Sequence, residues 1–216
     1  MGKSARDRPI GALRTQKQAD SATAMFNDTS TPLSLLLSRR SGKARDMIAP
    51  GPDAAQMTNI LSAATRVPDH GKLAPWRFVT IAADQRSALA DLLISAYQTE
   101  KPEAGKLELE AMVQFAHQAP ALVVAVFSPI VGSKIPQWEQ ELSTGAACMQ
   151  LLNAAHALGF VGNWLTGWPT YSETVRNAFG AAHERIAGFF FIGSQAKPLE
   201  ERPRPILGDV ARPWQP

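Results

Sequence analysis

Pro120-Ala121-Leu122-Val123-Val124-Ala125-Val126-Phe127 sets seven apolar side chains in a row behind a proline, and three of them are the β-branched Val123, Val124 and Val126. The run is short for a core helix and lacks the polar alternation of a strand that keeps one face in water. It predicts a strand covered on both faces, and therefore a central one.

Working outward, a helix is predicted over 107–118, closed by Pro120, and a break over 101–105 precedes it. Downstream, 136–158 is the longest helical stretch, with Gly159 as its left-handed stop. Residues 160–164 and 186–192 read as strands, and Ser172 caps a helix that runs to Phe179 and ends at Gly180. On the N-terminal side, Phe78-Val79-Thr80-Ile81 is a strand candidate. Asp84 is placed to cap the helix on which Leu89, Leu92, Leu93 and Ala96 share a face. Asp53-Ala54-Ala55-Gln56 has capping-box spacing, and Met57, Ile60, Leu61 and Ala64 follow at helical intervals until Val67-Pro68 stops them. Thr31-Pro32 reads as N-cap and first helical position ahead of Leu33, Leu35, Leu36 and Leu37. These elements alternate without a strict β-α-β rhythm or the glycine fingerprint of a dinucleotide fold, which predicts an α+β fold built on a mixed sheet. The length of 216 residues suits one domain, placed over 31–216. Residues 1–30, polar and aperiodic, read as a flexible N-terminal extension.

Charge narrows the function. The net +3 resides in residues 1–24, which carry five basic side chains against two acidic ones, and the remainder balances 17 against 17. The folded part thus has no general footprint for nucleic acid. No apolar run approaches the roughly 20 residues that span a bilayer, and no secretory leader is visible, so the expected location is the cytoplasm. The single cysteine, Cys148, excludes an intrachain disulfide framework and a multi-cysteine zinc site.

The phosphate-loop, dinucleotide, nucleophile-elbow and zinc-protease signatures are all absent. Arg39-Arg40-Ser41 places two guanidinium forks and a hydroxyl within one turn, chemistry that suits a phosphate and equally a helix C-terminus whose dipole favours cations. Arg202-Pro203-Arg204-Pro205 is a second cationic pair or a solvated tail. The loop 66–78 packs Arg66, Asp69, His70, Lys72, Trp76 and Arg77 between a helix and a strand, where sites commonly sit. Ser143-Thr144-Gly145-Ala146-Ala147-Cys148 is nearly bare of large side chains, so that a flat ring or a neighbouring helix can approach. Cys148 reads as a buried structural thiol, and His117, His156 and His183 as satisfied structural or surface histidines. Gly162-Asn163-Trp164-Leu165-Thr166-Gly167-Trp168 reads as a strand end turning into a loop.

Taken in order, Arg39-Arg40-Ser41, Arg66-x-Pro68-Asp69-His70, Pro75-Trp76-x-Phe78, Trp138-Glu139-x-Glu141 and Gly162-x-Trp164-x-Thr166 resemble the flavin-dependent nitroreductase family, in particular its short bacterial branch. The resemblance covers about 33–210. It implies a nitroreductase-like mixed central sheet flanked by helices, in a homodimer whose shared interface holds two FMN molecules. It further implies that Arg39, Arg40 and Ser41 hold the FMN phosphate and ribityl side in one subunit, that Arg66 and His70 reach it from the other, and that Trp164, Leu165 and Thr166 line the ring. Arg202 and Arg204 are similar to a basic pair that supports the phosphate, and Ser143, Thr144, Gly145, Ala146, Ala147 and Cys148 would admit NADH, NADPH or substrate. Leu165 departs from the polar or basic residue that relatives often carry. The implied activity is hydride transfer from NADH or NADPH through FMN to a small-molecule electron acceptor such as a nitroaromatic or quinone. Reductive dehalogenation, fragmentation of the flavin itself and non-catalytic flavin binding stand as alternatives on the same fold. No acid, base or nucleophile emerges, which accords with a cofactor that supplies the chemistry.

Overall fold

The structure, a computed structural model, describes residues 26–215. The expected extension therefore lies outside the described residues over 1–25. Residues 26–30 are engaged rather than loose, since the side chain of Asn27 is hydrogen-bonded to the backbone of Arg40. Thr31 caps α1 (Pro32–Ser38) by accepting from the Ser34 amide, as its position before Pro32 predicts. After the short β1 (Met47–Ile48), Asp53 and Gln56 close a complete capping box on α2 (Ala54–Ala64). The strand expected from 78 begins earlier, as β2 (Trp76–Ile81). Asp84 is not the cap expected of it: a single 3₁₀ turn intervenes, and the Gln85 side chain accepts from the Ala82 amide instead. Next come α3 (Arg86–Glu100) and α4 (Lys106–His117).

The opening run forms β3 (Ala121–Phe127), in which Leu122 through Phe127 are buried. Beyond it lie α5 (Gln137–Ala157), β4 (Val161–Leu165), α6 (Trp168–Tyr171), α7 (Glu173–Phe179), β5 (Arg185–Gln195) and α8 (Leu207–Val210). Gly159 follows α5 at φ +85°, the left-handed stop predicted for it.

Strand order is β2-β3-β5, with β4 and β1 also pairing with β5. The α+β architecture is the one expected. Every ladder between described strands is antiparallel, however, where the sequence predicts a mixed sheet. Each pair is joined through intervening helices that can return the chain in either direction, so the order of elements alone does not determine strand polarity.

Alternation along the two central strands separates two cores. Leu122, Val124, Val126, Phe189 and Phe191 pack with α3, α4 and α7. Val123, Ala125, Phe190 and Ile192 pack with α2 and α5. Each large side chain buried this way contributes roughly 1.5–3 kcal/mol. Arg86, buried at the start of α3, donates to the carbonyls of Ala116, Gln118 and Pro120 and so satisfies acceptors that the end of α4 leaves open. Gly188 in β5 has φ +158°, and a Cβ there would come within 2.1 Å of the Trp164 indole nitrogen. Its bare backbone lets the ring of Trp164 lie against the strand, close to the irregularity between Ala125 and Val126 of β3.

Candidate functional site

The first component is a convergence of arginines. Backbone dihedrals of φ −56° and ψ 127° take Arg39 out of the helix, and its Nη1 donates forward to Ser41 Oγ at 3.2 Å. Arg40 is 4% exposed. Its guanidinium pairs with Glu201 and lies 5.6 Å from the ring centroid of Phe26, while its Nε is buried with no partner. The tail brings Arg204 onto the same spot, where its Nη2 donates to the Arg39 carbonyl at 3.4 Å. Arg202 lines a cavity of about 200 Å³ together with Ser41 and Lys43. Burial first, and the charge of Arg204 next, push the pKa of both Arg39 and Arg40 below the ordinary arginine range; Arg202 adds to the effect at Arg40. Like charges held together at this cost, with a buried donor unspent, form a site that an anion would relieve.

The loop 66–75 is the second component. The Ser143 hydroxyl donates to the Pro68 carbonyl at 2.7 Å and the Thr144 hydroxyl to the Pro75 carbonyl at 3.0 Å, which ties both ends to α5. Between them Gly71, Lys72 and Ala74 all have positive φ, and the Asp69 carboxylate accepts from the Ala74 amide at 2.8 Å. This over-determined backbone holds His70 outward, its Nδ1 2.7 Å from Glu139 Oε2 at the start of α5. Arg66 is exposed. Within one chain, among the described residues, no hydrogen bond or ion pair joins Arg66 or His70 to the arginine cluster.

A cleft of about 450 Å³ is the third component, lined by Trp164, Thr166, Thr144 and Gly145 and rimmed by Glu141 and Arg185. Arg185 pairs with Glu141 and lies over the Phe127 ring, 5.2 Å from its centroid. The Trp164 indole donates to the Ala187 carbonyl at 3.0 Å and lies 5.2 Å from Phe190. Leu165, alternating to the opposite face, packs with the α3–α4–α7 core and is not among the residues that line the cleft. β4 links the components: the Asn163 side chain donates to the Gly42 carbonyl beside the arginines. Trp164 and Thr166 line the cleft one to three residues further on, at most about 10 Å along the strand.

The small-residue stretch divides by helical geometry. Ser143, Thr144, Ala147 and Cys148 are buried. They lie on the face turned to the sheet and the loop, whereas Gly145 and Ala146 are partly open. A Cβ on Gly145 would meet nothing within 4 Å. Burial raises the Cys148 thiol to about 12, which leaves it inert as a nucleophile. His156 is buried in the core but not satisfied as the sequence predicts: it is 0% exposed, and neither ring nitrogen has a partner. Burial, and then the charge of Arg39, lower its pKa to about 4.

Asn27 and Glu201 are contributors the sequence does not point out, whereas Glu139 stands in the Trp138-Glu139-x-Glu141 motif without a role assigned to it. Glu201 adjoins a predicted cationic residue, which is a usable signal, whereas nothing near Asn27 announces its contact with Arg40. Among the described residues no group of three or more His, Cys, Asp or Glu side chains could hold a metal, and no helix is long and apolar enough to cross a membrane.

Residues 36–194 match the model of the family described as "Nitroreductase family". The Escherichia coli (strain K12) protein named "Putative NAD(P)H nitroreductase YdjA" is 35% identical over 163 residues, 75% of this chain and 87% of that protein. Among solved structures, the nitroreductase-like family protein from Bacillus cereus superposes with a TM-score of 0.72 at 20% identity, covering 86% of this chain and 96% of its own. The FMN- and NADPH-dependent nitroreductase NfnB from sphigopyxis sp. strain HMH superposes with a TM-score of 0.66 at 19% identity, covering 86% and 99%. The likeness to these two structures is one of fold.

Proposed function

The chain belongs to the nitroreductase family, and from this we propose that it is an FMN-dependent NAD(P)H oxidoreductase acting as a homodimer. One observation carries the assignment: four arginines converge where a buried Arg40 nitrogen has no partner, and β4 leads from there to the cleft. Arg39, Arg40 and Ser41, with Arg204 and Arg202 from the tail, would hold the phosphate, because planar guanidinium forks match its oxygens bidentately. Trp164 and Thr166 would border the ring, and Leu165 would present backbone groups. When bound, FMN supplies two-electron chemistry, taking hydride from NADH or NADPH and passing it to an electrophilic acceptor such as a nitroaromatic or quinone. The chain's own part is to orient and shelter. Gly145 leaves the cleft open to a flat molecule, and the Glu141–Arg185 pair fixes its rim.

The dimer rests on apolar surface next to both halves of the site. Leu33, Leu36 and Leu37 on α1 directly precede the arginines, and Trp138 on α5 adjoins the carboxylate that holds His70; all four are exposed in the single chain. Pairing two such chains gives Arg66 and His70 a role that one chain alone does not, since each protomer can extend them to the flavin of the other. A reduced nicotinamide donor is an intracellular metabolite, and we place the protein in the cytoplasm accordingly.

The test is spectroscopic. Purified protein should show flavin absorbance that anaerobic NADH or NADPH bleaches and a nitroaromatic or quinone restores. Colourless protein that takes up no FMN would sink the proposal, and a bound flavin that neither nicotinamide bleaches would leave only a binding dimer. Arg39→Ala should weaken FMN binding roughly 10- to 100-fold, the value of one charge-assisted contact.

A further inference from the structure

The arginine cluster is not left without a counter-charge. Glu201 pairs with Arg40, and its Oε1 also accepts from the Arg202 amide at 2.7 Å. The residue before it, Glu200, lies 3.5 Å from Lys43 on the rim of the adjoining cavity. Arg40 is buried and fixed, whereas the Glu201 side chain is 63% exposed and belongs to a tail that is exposed throughout 200–215. One member of the pair cannot move and the other can.

Resting on the phosphate assignment above, we infer that Glu201 is a built-in competitor at the anion site, whose carboxylate occupies Arg40 until a ligand phosphate displaces it. A carboxylate brings one charge and two oxygens. A phosphate monoester brings close to two charges and three terminal oxygens, enough to engage Arg40, Arg39 and the tail arginines together. Exchanging Glu201 for a neutral ligand leaves buried Arg40 unpaired, which is costly, and exchanging it for a monoanion gains almost nothing. Only a ligand with a terminal phosphate improves on the resident carboxylate. Glu201 thereby lowers the affinity for a phosphate-bearing ligand and leaves that for neutral flavin untouched.

Flavin-free protein carrying Glu201→Gln keeps the length of the tail and loses the competing charge. Titrated by quenching of flavin fluorescence, it should bind FMN ~5-fold more tightly than the unaltered protein, the worth of one ion pair with a single exposed partner. Riboflavin affinity should be the same in both, and Glu200→Gln should bind FMN as the unaltered protein does. Inorganic phosphate should raise the melting temperature of Glu201→Gln at lower concentration than it does for the unaltered protein. FMN affinity that is unchanged or weaker in Glu201→Gln overturns the inference while leaving the phosphate assignment intact, because it would make Glu201 a clip that positions Arg202 and Arg204. If the unaltered protein responds to neither FMN nor phosphate, the phosphate assignment itself fails.

Discussion

Replacing His156 with leucine tests how the interior handles a proton. The ring is wholly buried in the last turns of α5 with both nitrogens unpartnered. A helix C-terminus favours a cation, but burial and the nearby Arg39 charge outweigh it and lower the pKa from 6.5 to about 4. A group with a depressed folded pKa leaves stability unaffected above the unfolded value. Below pH 6.5 the unfolded chain takes up a proton that the native state refuses, so stability falls until about pH 4. Each pH unit inside that window is worth about 1.4 kcal/mol. Between pH 7.5 and 5.0 the protein should therefore lose about 2 kcal/mol through this one residue, with 1.5 units of that interval lying below 6.5. Leucine has nearly the volume of histidine and no proton to bind, so the variant should fold at pH 7.5 with similar stability. Urea unfolding of flavin-free protein at one fixed concentration, at both pH values, reads the difference. With a slope near ~2 kcal/mol/M the midpoint of the unaltered protein should drop by ~1 M more than that of His156→Leu. The other histidines are common to both proteins and cancel. Parallel loss in the two proteins would refute the reasoning.

The remaining expectations concern the ion pair, the thiol and the cleft. Glu184, its side chain 7% exposed, is bound by Arg77 through Nε and Nη2 at 2.8 Å each, and that bond holds its pKa at about 2 against an ordinary 4.5. Arg77→Met should cost ~2–3 kcal/mol at neutral pH, somewhat less than breaking a fully buried pair because Arg77 is partly exposed. It should also flatten the loss of stability that the unaltered protein shows as pH falls from 4.5 towards 2, as urea titrations at pH 7 and 3.5 would show. Cys148 should resist a thiol-specific disulfide reagent in the native protein and react fully after unfolding; prompt native labelling contradicts its buried placement. Gly145→Leu should melt within a few degrees of the unaltered protein and keep FMN affinity, yet lower kcat/KM for a quinone by on the order of tenfold, ~1.4 kcal/mol of barrier; unchanged turnover would remove the cleft from the reaction.

Local rules carried much of the fold into the sequence. The central strand 121–127, the Thr31 cap, the Asp53–Gln56 box and the Gly159 stop each depend on residues within one turn of each other, and each is found where the spacing puts it. Asp84 shows the limit of such rules, because Gln85 next to it makes the bond to Ala82 and the chain enters α3 through a 3₁₀ turn. Strand direction is decided by packing across long connections, which explains the antiparallel sheet. In the candidate site, Arg39 and Arg40 are legible as a cationic pair suited to an anion, but the tail arginines gathered beside them lie more than 160 residues away. Leu165 and Cys148 follow from periodicity only once the faces of β4 and α5 are known. His156 is beyond sequence reading altogether, since its lack of partners is a property of everything packed around it.

Phe26 and Asn27 hold Arg40 from ahead of α1, one through its ring and the other through bonds to both backbone groups of the arginine. A shortened protein starting at Thr31, where capping rules put the first element, would keep every strand and both cores intact. It would nevertheless release the most deeply placed cation of the cluster. Anyone trimming the chain for crystals, or fusing an affinity tag close to α1, should therefore leave these two residues in place, because a well-folded product with poor cofactor retention would otherwise be mistaken for an inactive enzyme.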